Sequence, residues 1–128
     1  MNSDSRAIRA LIEAYADAVF RRDAEAWQAN WHEDARWDLM GTLIEGRTAI
    51  VAAWQQAMAG FAFVGFMCQP GPIKVVGDAA SARVWVRETL VDTDGRRREL
   101  FGRYDDEYRR TAEGWKIARR SYRIIQEL

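Results

Sequence analysis

One glutamate stands on a strand face that is otherwise apolar. Over positions 82–90, the residues that share a face with Glu88 are Ala82, Val84, Val86 and Leu90, because side chains alternate along a strand. Burial among such side chains raises the pKa of a carboxyl group toward the range useful for general acid–base catalysis. Glu88 is therefore a candidate to move a proton. The alternative is that it pairs with Arg103 or Arg120, or lies at an open rim.

Three further residues have types suited to the same chemistry. Asp23 could move a proton, although it also suits the N-cap of a helix beginning at Ala24. The phenol of Tyr15 could hold a substrate oxygen, and Arg120 could stabilise negative charge on that oxygen. Arg120 could instead form a structural ion pair with Asp106, because a buried arginine needs such a partner. The catalytic hypothesis rests on the glutamate together with Asp23, Tyr15 and Arg120.

Aromatic, acidic and basic residues alternate over 99–126, where a plain surface hairpin would carry only solvent-facing charges. Polar groups on the core-facing side of a sheet are costly to bury unless they are paired. The pattern therefore predicts a lined pocket, in which tyrosines either donate to a substrate oxygen or pack as aromatic core. The residues expected to contact a substrate are Val19, Trp37, Leu39, Trp54, Met58, Phe66, Val86, Tyr104, Asp106 and Tyr122.

Three helices are expected in the first half of the chain, each with a polar residue suited to cap it. The caps are one of Ser3–Ser5, then Asp23, then Thr48. Apolar residues follow the first cap at helical spacing. The short second helix would carry Trp27 and Trp31 on one face. The third helix would end at a glycine at position 60.

The rest of the chain is expected to form strands. The predicted strands are 35–39, 41–45, 63–68, 73–76, 79–91, 100–110 and 115–125. Pro70-Gly71-Pro72 would make a bulge, bend or turn, since proline cannot donate to a ladder. Helices at the start and strands at the end predict an α+β fold. We expect a strongly curved antiparallel sheet that wraps the helices as a cone-shaped barrel.

The composition argues against several classes of function. The chain has 128 residues, which suits a single domain over 1–128, and its 19 basic and 19 acidic residues give a formal net charge of zero. Nucleic-acid-binding domains usually carry a basic excess, so we expect no nucleic-acid partner. One histidine and one cysteine cannot build a usual zinc site, and no glycine-rich phosphate loop is visible. We therefore expect no metal and no cofactor.

The sequence also suggests where the protein resides and how it assembles. A single cysteine, Cys68, rules out an internal disulfide and favours a buried, inert thiol in a reducing compartment. No secretory signal or membrane-spanning run is visible, so we expect a cytoplasmic protein without a membrane partner. Trp85 falls on the outer strand face with Arg83 and Arg87. An exposed tryptophan is unfavourable in a monomer, so we expect a homodimer through that face.

Several local motifs occur in an order that resembles the SnoaL-like branch of the nuclear transport factor 2-like superfamily. They span nearly the whole chain and are Ile12–Tyr15, Arg22-Asp23, His32–Trp37, Glu45–Ile50, Gly77-Asp78, Asp106–Tyr108, Trp115-Lys116 and Arg120. The resemblance implies the barrel described above, and a dimer through the outer sheet face is common in this family. It implies no single activity, because the fold hosts dehydratases, isomerases, cyclases, hydrolases and non-catalytic binders.

The enzymes most similar in these motifs are scytalone dehydratase and hexachlorocyclohexane dehydrochlorinase. By this resemblance Asp23 matches an aspartate that orients a catalytic histidine, Trp37 a pocket tryptophan and Arg120 a pocket arginine. This chain has no histidine near Gly65–Phe66, where that base would stand, and His32 lies in the loop before the first strand. The Asp–His mechanism of those enzymes therefore does not transfer.

A second resemblance is to the ketosteroid isomerase type, which has a tyrosine on its first helix, an aspartate on its first strand and an acid on a late strand. Tyr15 and Asp106 match the first and the third of these. Asp38 is one residue out of register with the second, and such a shift turns a strand side chain to the opposite face. We therefore expect Trp37 and Leu39 to face the pocket and Asp38 to face away.

The leading hypothesis is a small cofactor-free lyase or isomerase of the dehydratase or cyclase type. Its substrate would be an apolar cyclic or polyketide-like molecule with a carbonyl or hydroxyl group, processed by general acid–base chemistry in a closed pocket. The alternative is a non-catalytic small-molecule-binding or dimeric accessory domain of the same fold. A protein–protein interaction module is a third possibility if the outer face around Trp85 is unpaired.

Overall fold

The computed structural model describes residues 2–128 and has the α+β fold that the sequence predicts. Its helices are α1 (Ser3–Arg21), α2 (Ala24–Gln28) and α3 (Arg47–Ala59). Its strands are β1 (Trp31–Leu39), β2 (Thr42–Glu45), β3 (Phe61–Val76), β4 (Ala79–Asp92), β5 (Arg97–Thr111) and β6 (Gly114–Glu127). Within this part of the chain, no helix combines the length and the apolar character needed to cross a membrane.

All six strands form one sheet in the order β2-β1-β6-β5-β4-β3. Strands β3 to β6 form the expected antiparallel meander, whereas β1 pairs with β6 in parallel. The sheet is therefore mixed, and the expectation of a purely antiparallel sheet is wrong. Local patterns predict hairpins well, but they carry no signal for a pairing between the first strand and the last.

The sheet has one face that the helices cover, and α1 packs mainly against β3. Strand β5 shows the alternation most clearly, because every second residue from Leu100 to Tyr108 is buried and the residues between are more exposed. One face of this strand therefore points toward the core. Between α2 and α3, the Trp27 and Trp54 rings stack with centroids 4.4 Å apart. Trp27 also packs against Trp37 of β1 with centroids 5.8 Å apart, so this aromatic packing joins the helices to the sheet.

Several helix boundaries differ from the sequence expectations. Asn2, rather than a residue of Ser3–Ser5, caps α1, and its Oδ1 accepts from the Ser5 amide at 2.7 Å. Thr48 does not cap α3, because that helix already begins after Gly46, whose φ is 90°. Trp31 begins β1 instead of belonging to α2. Several polar residues lie near each helix end, so residue type alone does not identify which of them caps the helix.

Other boundaries follow the predictions. Asp23 caps α2, since its Oδ1 accepts from the Ala26 amide at 3.0 Å. Gly60 follows the last residue of α3, as predicted. The segments 63–68 and 73–76 belong to one long strand, β3, whose pairing with β4 shifts between Pro70 and Ile73. The proline-rich segment therefore makes a bulge, which was one of the three predicted outcomes.

Candidate active site

A cavity of about 230 Å³ lies between the helices and the inner face of the sheet. Helices α1 and α3 form one wall, and strands β1, β3, β4, β5 and β6 form the other. Its lining is mostly aromatic and aliphatic: Tyr15, Val19, Trp37, Leu39, Met40, Trp54, Ala57, Met58, Phe61, Val64, Phe66, Glu88, Leu90, Arg98, Leu100, Tyr104, Tyr122 and Ile124. Such a concave apolar surface with a few polar groups is typical of a small-molecule site.

Glu88 reaches this cavity from β4 and hydrogen-bonds to Tyr122 of β6. The Tyr122 hydroxyl donates to Glu88 Oε2 at 2.7 Å. Neither Arg103 nor Arg120 pairs with Glu88, so that alternative is wrong. Burial raises the pKa of the Glu88 carboxyl, while the Tyr122 hydrogen bond and the Arg98 charge oppose the rise. The result is a carboxyl group held by one neutral donor in apolar surroundings.

Tyr122 and Arg98, the two groups beside Glu88, are consistent with proton transfer at its carboxyl group. Burial, and then the nearby Glu88 charge, raises the pKa of the Tyr122 hydroxyl, so Tyr122 keeps its proton and acts as the donor. Arg98 lies at the cavity wall, but Glu127 holds its guanidinium at 2.7 Å and 3.2 Å. Among residues 2–128, no hydrogen bond reaches Glu88 Oε1, which leaves that oxygen available to a ligand.

Arg120 lies beneath the cavity in a buried polar cluster. Its Nε and Nη2 donate to the two carboxylate oxygens of Asp106 at 2.8 Å and 2.7 Å. The Tyr108 hydroxyl donates to the same carboxylate at 2.5 Å. The side chains of the ion pair are at most 1% exposed. The predicted ion pair is confirmed, and neither Arg120 nor Asp106 lines the cavity, contrary to their expected contact with substrate.

The guanidinium of Arg120 supports two cavity tyrosines from below. Its central carbon lies 4.4 Å from the Tyr15 ring centroid and 3.8 Å from that of Tyr104. Burial raises the pKa of both phenols, and the Arg120 charge partly opposes this rise. Both tyrosines are therefore neutral hydrogen-bond donors, and the buried Arg120 cation lies below their rings. This arrangement suits hydroxyl groups that stabilise negative charge developing on a substrate oxygen.

Two other predicted site residues lie outside the cavity lining. Asp23 caps α2 and accepts from Arg21 Nη1 at 2.9 Å. The Ala26 amide, and then Arg21, lower the pKa of the Asp23 carboxyl, which makes it a poor base. Val86 is buried in the sheet beside Gly102 and is not part of the lining. The remaining predicted contact residues all line the cavity, with Trp37 and Leu39 facing it.

Sequence reasoning missed several lining residues. They are Met40, Ala57, Phe61, Val64, Leu90, Arg98, Leu100 and Ile124. Strand parity could have found Leu90 and Leu100, because they share the faces of Glu88 and Tyr104. Arg98 gave no such signal, since it stands in a run of three arginines at a hairpin. Asp38 does not line the cavity, in agreement with the expectation that it faces away, and its carboxylate accepts from the Gly41 amide in the β1–β2 turn at 2.9 Å.

Cysteine and metal chemistry have little support in the described residues. Burial raises the pKa of the Cys68 thiol to about 12, so the thiolate is strongly disfavoured. Across residues 2–128, no group of His, Cys, Asp and Glu side chains is arranged to hold a metal ion. The chemistry that this arrangement can perform is proton transfer at Glu88, with tyrosine hydroxyls as hydrogen-bond donors.

Comparisons with known proteins agree on the fold. The uncharacterized protein Rv2910c of Mycobacterium tuberculosis (strain H37Rv) is 31% identical over 122 residues, which cover 92% of this chain and 83% of that one. A crystal structure of a provisionally named aromatic ring hydroxylase from Novosphingobium aromaticivorans is 33% identical, with a TM-score of 0.89, over 96% of this chain and 90% of that chain.

A second structure from Novosphingobium aromaticivorans, provisionally named a scytalone dehydratase, superimposes with a TM-score of 0.89 at 22% identity. The match covers 97% of this chain and 85% of that chain. Proteins of this fold include dehydratases and dehydrochlorinases. The model of the SnoaL-like domain matches residues 2–121. The chain therefore belongs to the SnoaL-like domain family.

Proposed function

We propose that this chain is a small cofactor-free lyase or isomerase in which Glu88 transfers the proton. The observation that carries the proposal is the Glu88 carboxyl group, which lies in an aromatic cavity with Tyr122 as its hydrogen-bond donor. The raised pKa of Glu88 favours a group that both accepts and returns a proton. Asp23 has no part in the step, since it caps α2 outside the cavity.

The substrate class follows from the cavity wall. Aromatic rings and aliphatic side chains suit an apolar cyclic or polyketide-like molecule, and the tyrosine hydroxyls suit a carbonyl or hydroxyl oxygen. The relative at 33% identity is named for an aromatic ring substrate, which supports the same class. Its name also implies hydroxylation, but the present proposal requires only proton transfer.

The proposed reaction balances without a co-reactant. Glu88 removes a proton from the carbon next to the carbonyl, and the electron pair moves onto the carbonyl oxygen, which accepts hydrogen bonds from tyrosine hydroxyls. In a dehydration, the electron pair returns, the bond to a β-hydroxyl breaks, and the proton from Glu88 leaves with that oxygen as water. In an isomerisation, Glu88 returns the proton to another carbon. In both cases the carboxyl group ends as it began.

The test uses 5-nitrobenzisoxazole, a flat aromatic probe of carbon deprotonation. A base removes its ring C–H proton, the N–O bond breaks, and a coloured cyanonitrophenolate forms. We expect the purified chain to accelerate this reaction and Glu88→Gln to lower the rate by about 100-fold or more. The matched control is Glu13→Gln, an exposed acid on α1 that does not line the cavity, which should leave the rate unchanged. Equal rates for the wild type and Glu88→Gln would exclude Glu88 as the base.

The non-catalytic binding alternative predicts a different result. A thermal-shift screen of hydroxylated aromatics and terpenoids would then find stabilising ligands, while the probe reaction would proceed no faster than in buffer. Stabilisation together with Glu88-dependent turnover supports the enzyme. The screen also identifies which oxygen-bearing rings fit the cavity, and that result defines the search for the substrate.

We also propose that two copies pair through the outer face of the sheet. Trp85 is 40% exposed there, and the guanidinium groups of Arg83 and Arg103 each lie 5.9 Å from its ring. A groove on this face carries both signs of charge, including Arg83, Asp105 and Glu107. A two-fold axis would bring such a surface against its own complement. A second copy therefore fits this face better than a partner of a single charge.

Light scattering on the eluting protein tests the dimer. We expect twice the chain mass for the wild type and the mass of one chain for Trp85→Glu. The control is Phe20→Glu on α1, an aromatic residue of similar exposure away from the sheet face. A monomeric wild type would reject the dimer and favour a free interaction surface.

A further inference from the structure

The hydrogen bond between Tyr122 and Glu88 spans an intervening strand. Glu88 is on β4 and Tyr122 is on β6, and β5 lies between these strands. Neighbouring strands are about 4.8 Å apart, so the two backbones stand roughly 10 Å from each other. Side chains that span two strands must pass over the middle one. The residue of β5 at this crossing is Gly102, which pairs with Val86 on one side and Ile124 on the other.

The Tyr122 ring occupies the space that a side chain at position 102 would need. A Cβ atom placed on Gly102 would lie 2.6 Å from Tyr122 Cε1, 3.1 Å from its hydroxyl oxygen and 3.0 Å from a Val86 methyl group. The first of these distances is far below van der Waals contact. The aromatic ring therefore rests directly on the β5 backbone, as glycine alone permits.

We propose that Gly102 is the positioning residue of the candidate active site: its bare backbone provides the slot in which the Tyr122 ring lies, so that the hydroxyl reaches Glu88. A larger residue at 102 pushes the ring toward the cavity and separates the two groups. The consequence for turnover rests on the proposed function, but the positioning itself can be measured without a substrate.

The first experiment follows the Glu88 carboxyl by ¹³C NMR titration in four proteins: wild type, Gly102→Ala, Tyr122→Phe and the double variant. The Tyr122 hydrogen bond lowers the Glu88 pKa against the rise caused by burial. Loss of that bond should therefore raise the pKa in both single variants. The double variant should show no further rise over Tyr122→Phe, because the bond is already absent. A Glu88 pKa in Gly102→Ala at or below that of the wild type would overturn the proposal.

A second glycine provides the matched control. Gly65 is also buried within a strand, and a Cβ there would meet mainly the ring edge of Phe63 at 3.2 Å. Phe63 is 50% exposed and can move aside. Gly65→Ala makes the same chemical change on β3, where Gly65 pairs with Thr89 and therefore lies on the sheet face opposite Glu88. It should leave the Glu88 pKa unchanged, and an equal rise in this control would also overturn the proposal.

The second experiment measures melting temperatures and does not depend on Gly102→Ala being well folded. Tyr122→Ala removes the ring and clears the space above Gly102. We expect Gly102→Ala to lower the melting temperature of the wild type and to lower it far less in the Tyr122→Ala background. The same loss in both backgrounds, or an unfolded double variant beside a folded Tyr122→Ala, would contradict the proposed slot.

Failure of this inference is distinguishable from failure of the proposed function. An inactive wild type in the 5-nitrobenzisoxazole assay, with the expected pKa changes, removes the catalytic role and keeps Gly102 as the positioning residue. A Glu88-dependent rate with an unchanged pKa in Gly102→Ala keeps catalysis and removes the positioning role.

Discussion

Replacement of Asp106 by asparagine tests how much the buried ion pair beneath the cavity contributes to stability. The aspartate accepts two hydrogen bonds from Arg120 and one from Tyr108, and both ion-pair side chains are almost completely buried. Asparagine has nearly the same shape, but it leaves the guanidinium charge without a counter-charge. Arg120 cannot reach water without rearranging the rings of Tyr15 and Tyr104, which it touches.

The size of the effect follows from this burial. Removing one partner of a buried ion pair costs about 3–5 kcal/mol in the free energy of unfolding. For a chain of this length, at about 4 °C per kcal/mol, the melting temperature should fall by roughly 12–20 °C. Asp105 provides a matched control one residue away on the opposite face. It pairs with Arg103 and is 51% exposed, so Asp105→Asn should cost about 1 kcal/mol or less.

Urea denaturation monitored by tryptophan fluorescence measures both variants. An Asp106→Asn cost no larger than that of Asp105→Asn would refute a structural role for the pair, and Arg120 would return as a group available to substrate. The apolar replacement Asp106→Leu/Arg120→Met/Tyr108→Phe provides a further check. It removes all three polar partners together and should recover most of the stability lost in Asp106→Asn.

Three other predictions follow from the site. Glu88→Gln should become more stable relative to the wild type as pH rises. The folded wild type keeps the Glu88 proton above the ordinary pKa of 4.5, and the stability that this proton contributes is lost when Glu88 ionises at higher pH. Urea titrations of both proteins at pH 4 and pH 8 measure the difference in the free energy of unfolding, and an equal difference at both pH values would contradict the prediction. Asp23→Asn should leave the 5-nitrobenzisoxazole rate unchanged, and a large loss would return Asp23 to the mechanism. The Cys68 thiol, with a pKa of about 12, should react with iodoacetamide at pH 8 far more slowly than a free cysteine; mass spectrometry follows the adduct, and rapid labelling would show that the site is open.

Local patterns were sufficient to predict much of the fold. The two-residue period correctly placed Glu88 on the same face as its apolar neighbours, toward the cavity. The type of Asp23 correctly identified the cap of α2. These features depend on a few consecutive residues, so they can be predicted from the local sequence.

Other features depend on contacts between distant segments and could not be predicted in this way. The parallel pairing of β1 with β6 joins the two ends of the chain. An arginine was one alternative partner for Glu88 because of its charge, whereas Tyr122 reaches it over a glycine on the intervening strand. Arg120 was expected in the pocket by type, but its partner Asp106 retains it below the tyrosine rings.

The ionisation of Glu88 in the wild-type chain tests most directly whether an ionisable group lies inside an apolar hollow. A ¹³C NMR titration of the glutamate carboxyl carbons, with Glu88→Gln to assign the signal, gives its pKa. Burial in the cavity predicts a midpoint clearly above 4.5, the ordinary value for glutamate. A midpoint at or below 4.5 would mean that burial does not dominate the ionisation of this carboxyl group, and it would contradict the proposed proton transfer by Glu88 in an apolar cavity.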